Sequence, residues 1–367
     1  MRLVSLTLKN FRNYQDEKLT FHPRFNLIIG KNAQGKTNIL EAIYYLGYLN
    51  PFRQATKEEI ITVGTPAGMI GAQIEEEGYE SEIKIFLEPK SRRVLFNGKR
   101  PEKKSLLPVL LFEPREIYLF RDSPSIRRKF LDRALVLDNP LMRQVQKEVE
   151  EIVRQKNRLL KEEEGGRLTD QLEIWNQQLA KMGAKIIFHR LAWIEKINRE
   201  LSVAYQNLSQ GNERLHADYE GTVMVQKDES EVVLEQKILS AIREREGEEI
   251  RRRESVVGPH RDDWNCFLDK RALGVHGSQG ENRSAIIALK TAQVKIYQKE
   301  HGVPPLFLLD DVSSELDFER KKALLSMLAE TEGQVVLTTT EPGEITPFFK
   351  EKGFSFLVEA GSARVLA

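Results

Sequence analysis

Gly30-Lys31-Asn32-Ala33-Gln34-Gly35-Lys36-Thr37 is a complete GxxxxGK[ST] phosphate loop, and the residues on either side give it the right setting. Phe25 to Ile29 is an apolar run of strand length, and Ile39, Ala42, Ile43 and Leu46 follow at the spacing of a half-buried helix. Glycines at 30 and 35 let backbone N–H groups wrap phosphate oxygens, while the helix N-terminus adds partial positive charge. Residues 30–37 are therefore the candidate nucleotide-binding segment. Lys36 is the group for the β- and γ-phosphates, and the Thr37 hydroxyl is the group for Mg²⁺. A glycine-rich turn that fits the pattern by chance would not need a strand before it and a helix after it.

Two downstream segments say which kind of phosphate-loop protein this is. Leu306 to Leu309 is a buried strand pattern ending in Asp310-Asp311, the form of a Walker B strand. Asp310 is placed to hold the metal and Asp311 to polarise an attacking water. Ser278-Gln279-Gly280-Glu281 stands just before the helix that leads into that strand, where ABC-type ATPases carry their signature motif. There a serine, a glycine N–H and a helix N-terminus reach the γ-phosphate bound by a second subunit. Ser313-Ser314-Glu315-Leu316-Asp317 follows like the D-loop of the same class, with Asp317 as its acid. One such segment is a weak signal, but three in the right order and spacing are strong.

Composition bounds the rest. The 367 residues suffice for two packed units, and 40% hydrophobic with 30% charged residues describes a globular chain. No apolar run approaches the roughly 18–20 residues of a membrane helix. Met1 to Leu6 lacks the apolar core of a signal peptide, and one cysteine, Cys266, can form neither an internal disulfide nor a cysteine cage, so a cytoplasmic location and no membrane are expected. Lys+Arg 56 against Asp+Glu 55 leaves a net charge of +1. Global charge thus points to no acidic partner, and the basic clusters at Arg92-Arg93, Lys103-Lys104, Arg127-Arg128-Lys129 and Arg251 to Arg253 read one by one as solvated surface. The six histidines have no paired ligand spacing, so Mg²⁺ arriving with nucleotide is the only ion implied.

Along the chain, residues 1–120 read as β-rich, with a type I′ hairpin turn at Asn97-Gly98. From Ser125 to Leu160 and from Leu172 to Leu201, apolar residues recur at helical spacing around Gly165-Gly166, which predicts an antiparallel helical hairpin. Ser230 to Arg253 reads as a third helix. The expected fold is an α/β ABC-type ATPase head with a β-rich N-terminal part: head at 1–120, a short inserted helical arm at 121–254, and head again at 255–367. Each arm helix is at most about 35 residues, roughly 50 Å, a length that suits a lever rather than a coiled coil hundreds of residues long.

Over nearly its whole length the chain resembles the RecF family of bacterial recombination-mediator ATPases, related to SMC heads. The residues that carry the resemblance are Leu8 to Tyr14, the phosphate loop, Asn50 to Arg53, Arg127 to Asp132, Gly258-Pro259-His260-Arg261-Asp262-Asp263 and Ser278 to Arg283. Glu281 stands where that family has glutamine, and Thr338-Thr339-Thr340 where transporter ATPases have a switch histidine. The resemblance implies an ATP-sandwiched homodimer on single-stranded, double-stranded, gapped or junction DNA, weak DNA-dependent ATP hydrolysis, and cooperation with RecO and RecR. Arg12, Asn13 and Arg53, beside the nucleotide strand and after the phosphate-loop helix, are expected to touch nucleotide. His260 reads nearly as well as a loop histidine bonded to a carbonyl as it does as a functional group. The alternative from another class is the ATPase subunit of an ABC-type membrane transporter, which the inserted arm and the missing switch histidine oppose.

Overall fold

The computed structural model describes residues 1–366 other than 54, 57, 102–106, 163–166, 210, 227, 312–315, 344 and 346–352. The expected turn at Gly165-Gly166, the Lys103-Lys104 cluster and Ser313, Ser314 and Glu315 of the D-loop lie outside the described residues. The elements in chain order are β1 (Arg2–Phe11), β2 (Tyr14–Thr20), β3 (Phe25–Ile29), α1 (Lys36–Tyr48), β4 (Gly68–Glu76), β5 (Tyr79–Leu87), β6 (Arg92–Phe96), β7 (Val109–Phe112), a 3₁₀ turn (Pro114–Tyr118), α2 (Pro124–Asp138), α3 (Met142–Glu162), α4 (Arg167–Ser209), β8 (Leu215–Glu220), α5 (Glu231–Glu244), α6 (Glu246–Arg252), β9 (Asp263–Leu268), β10 (Arg271–Ala272), α7 (Leu273–His276), α8 (Gln279–His301), β11 (Leu306–Leu309), α9 (Phe318–Glu330), β12 (Val335–Thr339), β13 (Gly353–Glu359) and β14 (Ser362–Leu366). They form two units, Met1–Ile117 with Gln293–Ala367, and Tyr118–Ala292. The second unit thus continues past Glu254, through β9, α7 and most of α8.

The first unit holds an antiparallel sheet, β2-β1-β4-β5-β6, and a six-stranded sheet, β14-β13-β3-β12-β11-β7, in which all pairs but the β13–β14 hairpin are parallel. Helix α1 packs against strands of both. The sequence predicts a half-buried helix here, but every residue from Ile39 to Tyr48 is buried, because two sheets leave α1 no wet face. The antiparallel sheet is joined to the start of β12 by Gln334, whose side chain accepts from Leu3 N at 2.7 Å and donates to Leu3 O at 2.8 Å. Asn97 and Gly98 have φ of 47° and 77°, as a type I′ turn requires, and the return of that hairpin is the single bridge Phe96–Lys99.

In the second unit the helix read from Ser125 to Leu160 is two helices. Pro140 has no N–H to donate and pushes Asn139 into the extended region, φ −136° and ψ 101°, which ends α2. The Ser230–Arg253 segment likewise divides at Arg245. Helix α4, at 43 residues, exceeds the expected limit. The helical reading also missed a small sheet, β10-β9-β8, whose β9 alternates buried Trp264, Cys266 and Leu268 with less buried neighbours. Burial pushes the Cys266 thiol well above its usual range.

The Gly258–Asp263 run joins these pieces. Arg127 grips Asp263 with two bonds, Nε to Oδ1 at 2.9 Å and Nη2 to Oδ2 at 2.5 Å. Arg128 donates to Asp262 O, and Arg190 donates to both Pro259 O and Asp132 Oδ1 at 2.7 Å. Asp262, 1% exposed, accepts from Tyr219 Oη, Thr222 N and Thr222 Oγ1. Arg127 and Arg128 are therefore not solvated surface, whereas Lys129 is exposed as expected. His260 has its Nε2 3.4 Å from Ser255 O, and burial lowers its pKa to about 3, so it sits as a neutral loop histidine.

Candidate nucleotide site

The site is built where β3 meets α1. Gly30 N donates to Thr339 O on β12, and a Cβ at Gly30 would lie 2.5 Å from Val358 O. Gly35 caps α1 at φ 118°, where a side chain would be strained and would meet the Asn13 amide at 2.6 Å. The two-residue turn between β1 and β2 presses on the loop from outside. Asn13 Nδ2 donates to Gln34 O at 2.9 Å and Tyr14 Oη to Gly35 O at 3.1 Å, while Ala360 N donates to Gln34 Oε1. Asn13 thus braces the loop rather than pointing its amide away from it.

Inside the cradle, Lys36 is 6% exposed and its Nζ donates to Gly30 O at 2.8 Å and Lys31 O at 3.0 Å. Burial lowers its pKa, against the pull of Asp311 and Asp310. Thr37 Oγ1 donates to Asp310 Oδ1 at 2.9 Å, and Thr338 Oγ1 donates to the same oxygen at 2.9 Å. Burial raises the Asp310 pKa, opposed by these hydroxyls and by the charges of Arg53 and Lys36. Asp311 N donates to Thr338 Oγ1, and its φ of 41° turns the chain sharply at the strand end. A carboxylate beside a threonine hydroxyl is a hard oxygen pair that fits Mg²⁺.

Arg12 and Arg53 converge on one residue that the sequence reading passed over. Glu41, one turn past Thr37 and 0% exposed, accepts from Arg12 Nε at 2.7 Å and from Arg53 Nη2 at 2.8 Å. Asn38 bridges Arg53 to Asn13. The available signal was a carboxylate inside Ile39-Leu40-Glu41-Ala42-Ile43, since a charge in a buried run needs a partner. From sequence Thr338 is only the residue standing in place of a histidine; its hydroxyl in fact donates to Asp310 and accepts from the Asp311 backbone N–H.

A profile of the RecF/RecN/SMC N terminal domain matches residues 2–350. A protein of Geotalea uraniireducens named DNA replication and repair protein RecF is 35% identical over 98% of this chain and 99% of its own length. An Enterococcus faecalis protein of the same name is 32% identical over 98% of each. The chain belongs to the RecF family. A solved structure described as the recombination mediator protein RecF-ATPrS in the RecFOR pathway superposes with a TM-score of 0.89 at 29% identity, covering 100% of this chain and 98% of the other. An SMC head bound to the C-winged helix domain of ScpA, covering 100% of this chain and 97% of its own, scores 0.55 at 16% identity and shares the fold. The fold is thus the α/β ABC-type ATPase head of RecF and SMC proteins.

The signature segment belongs to the second unit. Ser278 and Glu281 close a capping box at the start of α8: Ser278 N donates to Glu281 Oε2 at 2.6 Å and Glu281 N to Ser278 Oγ at 3.1 Å. Either glutamate or glutamine can close such a box, so Glu281 suits the position where the resemblance leads one to expect glutamine. The Ser278 N–H bond and Arg271, at 3.1 Å, hold the Glu281 carboxyl below its usual pKa. Gln279 and Gly280 are in the first turn of α8. Asp317 caps α9 by accepting from Arg320 N at 3.1 Å.

Proposed function

We propose that the protein is an ATP-dependent DNA-binding protein of recombinational repair and replication restart, acting in the cytoplasm as a homodimer that closes around ATP and hydrolyses it slowly. The observation that carries this reading is the Lys36, Thr37, Asp310 and Thr338 cluster. A buried ammonium rests on neutral carbonyls, and a buried carboxylate rests on neutral hydroxyls. Both are held in place, and neither is neutralised by contact with an opposite charge. Residues 30–37 cradle the phosphates, with Arg12 and Arg53 adding positive charge and Asn13 holding the loop. Thr37 and Asp310 would hold Mg²⁺, whose contribution is to neutralise phosphate charge. Asp311, at the strand end, takes the proton of the attacking water.

Ser278, Gln279 and Gly280 of one protomer reach the γ-phosphate held by its partner, and Asp317 belongs to the adjoining D-loop. Ser278 Oγ accepts from Glu281 N and keeps its own O–H proton to donate to a phosphate oxygen. The DNA would be single-stranded, gapped or double-stranded, and RecR and RecO would be partners, a reading supported by the RecFOR pathway named for the similar solved structure. The transporter reading has no observation in its favour.

Sedimentation with and without Mg-ATP, beside gel shifts on duplex, single-stranded and gapped DNA, tests this. Wild type should dimerise and bind DNA only with ATP, whereas Ser278→Arg should bind ATP and stay monomeric. ATP-independent behaviour on all three DNAs, or a wild-type dimer fraction for Ser278→Arg, would overturn it.

A further inference from the structure

Glu41 is buried where an isolated carboxylate would be strongly disfavoured, since Ile39, Leu40, Ala42 and Ile43 around it are all 0% exposed. Its two oxygens are occupied by guanidinium groups from two segments of the same unit. Arg12 comes from the β1–β2 turn, with Nε 2.7 Å from Oε2. Arg53 comes from the segment after α1, with Nη2 2.8 Å from Oε2 and Nε 3.2 Å from Oε1. Two cations on one anion leave a net positive charge. The bonds also leave donors over. Arg12 spends Nε on Glu41 and Nη1 on Glu59 O, and Arg53 spends Nε and Nη2 on Glu41 and Asn38. Arg12 Nη2 and Arg53 Nη1 have no hydrogen-bond partner among the described residues. Each guanidinium carries five N–H donors, so the side of each group turned from Glu41 is free to bind an oxyanion. Arg53 also donates to Asn38, the residue after Thr37 in α1, which puts one of these groups at the edge of the phosphate cradle.

We infer that Glu41 is a positioning residue: its one carboxylate fixes the Arg12 and Arg53 guanidiniums together, so that their spare N–H groups are presented as a rigid pair to the phosphates of a bound nucleoside triphosphate. This rests on the reading of the phosphate loop as a nucleotide site and adds to it a fixed geometry for two long side chains. Holding each arginine in advance removes the rotamer entropy that binding would otherwise cost. Placing Glu41 on α1, in the same helix as Lys36 and Thr37, ties the pair to the loop itself.

Calorimetric titration with Mg-ATP, supported by thermal melting of the ligand-free protein, tests the inference. Glu41→Gln keeps the shape but replaces one acceptor by an N–H₂ facing a guanidinium. It should weaken ATP binding by about tenfold, the equivalent of roughly one charge-assisted hydrogen bond. The deficit should shrink as salt is raised, because screened charge is what is lost; a packing defect would not respond to salt. Should Glu41→Gln not fold, the triple variant Arg12→Met, Glu41→Leu, Arg53→Met removes all three charges at once and leaves none buried alone. It should fold and bind ATP at least as weakly as expected for the single variant. A folded Glu41→Gln or a folded triple variant with wild-type ATP affinity would overturn the inference. Lys36→Met separates the two readings: if it too binds ATP normally, the nucleotide site itself is wrong, and if it alone loses binding, only the role of Glu41 fails.

Discussion

Two regions of this chain use buried charge in opposite ways. Around the phosphate loop, Lys36 rests on two backbone carbonyls and Asp310 on two threonine hydroxyls. Neutral dipoles hold such groups in place without cancelling their charge, so they remain attractive to a phosphate or a cation. In the second unit the charges cancel one another: Asp263 takes both arms of Arg127, Asp132 takes Arg190, and Lys156 meets Glu249 at 2.6 Å with both side chains 0% exposed. Those paired charges are spent on one another. The Gly258–Asp263 run carries part of the family resemblance, yet its two acids are spent on Arg127 of α2, Tyr219 of β8 and Thr222, and its histidine lies against the Ser255 carbonyl. A segment that identifies a protein is not thereby the segment that performs its chemistry.

The contrast can be broken by substitutions on each side. The largest effect should come from Asp263→Ala, which strands the Arg127 guanidinium in a site 10% exposed. Removing one member of a buried pair costs about 3–5 kcal/mol. Denaturant unfolding should register that loss while the folded fraction keeps its ATP affinity, and a loss below about 1 kcal/mol would place Arg127 among ordinary surface pairs. Lys36→Met comes next. It should abolish measurable ATP binding, at least about a hundredfold or roughly 2.7 kcal/mol, while leaving the melting temperature of the ligand-free protein nearly unchanged. Unaltered affinity in calorimetry would remove Lys36 from the site.

The third effect is smaller and depends on pH. The His260 pKa is about 3 in the folded chain against an ordinary 6.5. Below the higher value the unfolded chain takes up a proton that the folded one refuses, so stability is full above about pH 6.5 and falls as pH drops towards 3. At pH 5 the loss amounts to about 2 kcal/mol. His260→Gln should flatten that part of the stability profile relative to wild type, and parallel profiles would mean that the ring is protonated in place.

Much of the nucleotide site was legible because its parts are local. A phosphate loop needs its glycines at fixed positions, and both β3 and β11 were read to the residue from their apolar runs. Glu41 could be flagged from its apolar neighbours, but its partners, 29 and 12 residues away, are matters of tertiary folding. The same holds for the small sheet, since β8 pairs β9 across a stretch containing two helices. Pro140 is different. Its effect on Asn139 is local, and the helical periodicity running through it concealed a break that proline alone dictates.

Strand β3, which carries the phosphate loop, lies between β12 and β13. Asn26 bonds Val335 O across 309 residues. At about 5–20 residues per second, a ribosome takes roughly 15–60 s to supply the first of these neighbours after β3 has been made. Throughout that interval an apolar strand waits with both edges unpaired, open to association with other chains or to a chaperone. A nascent chain halted before Val335 would contain every residue of the phosphate loop and lack both strands that flank β3.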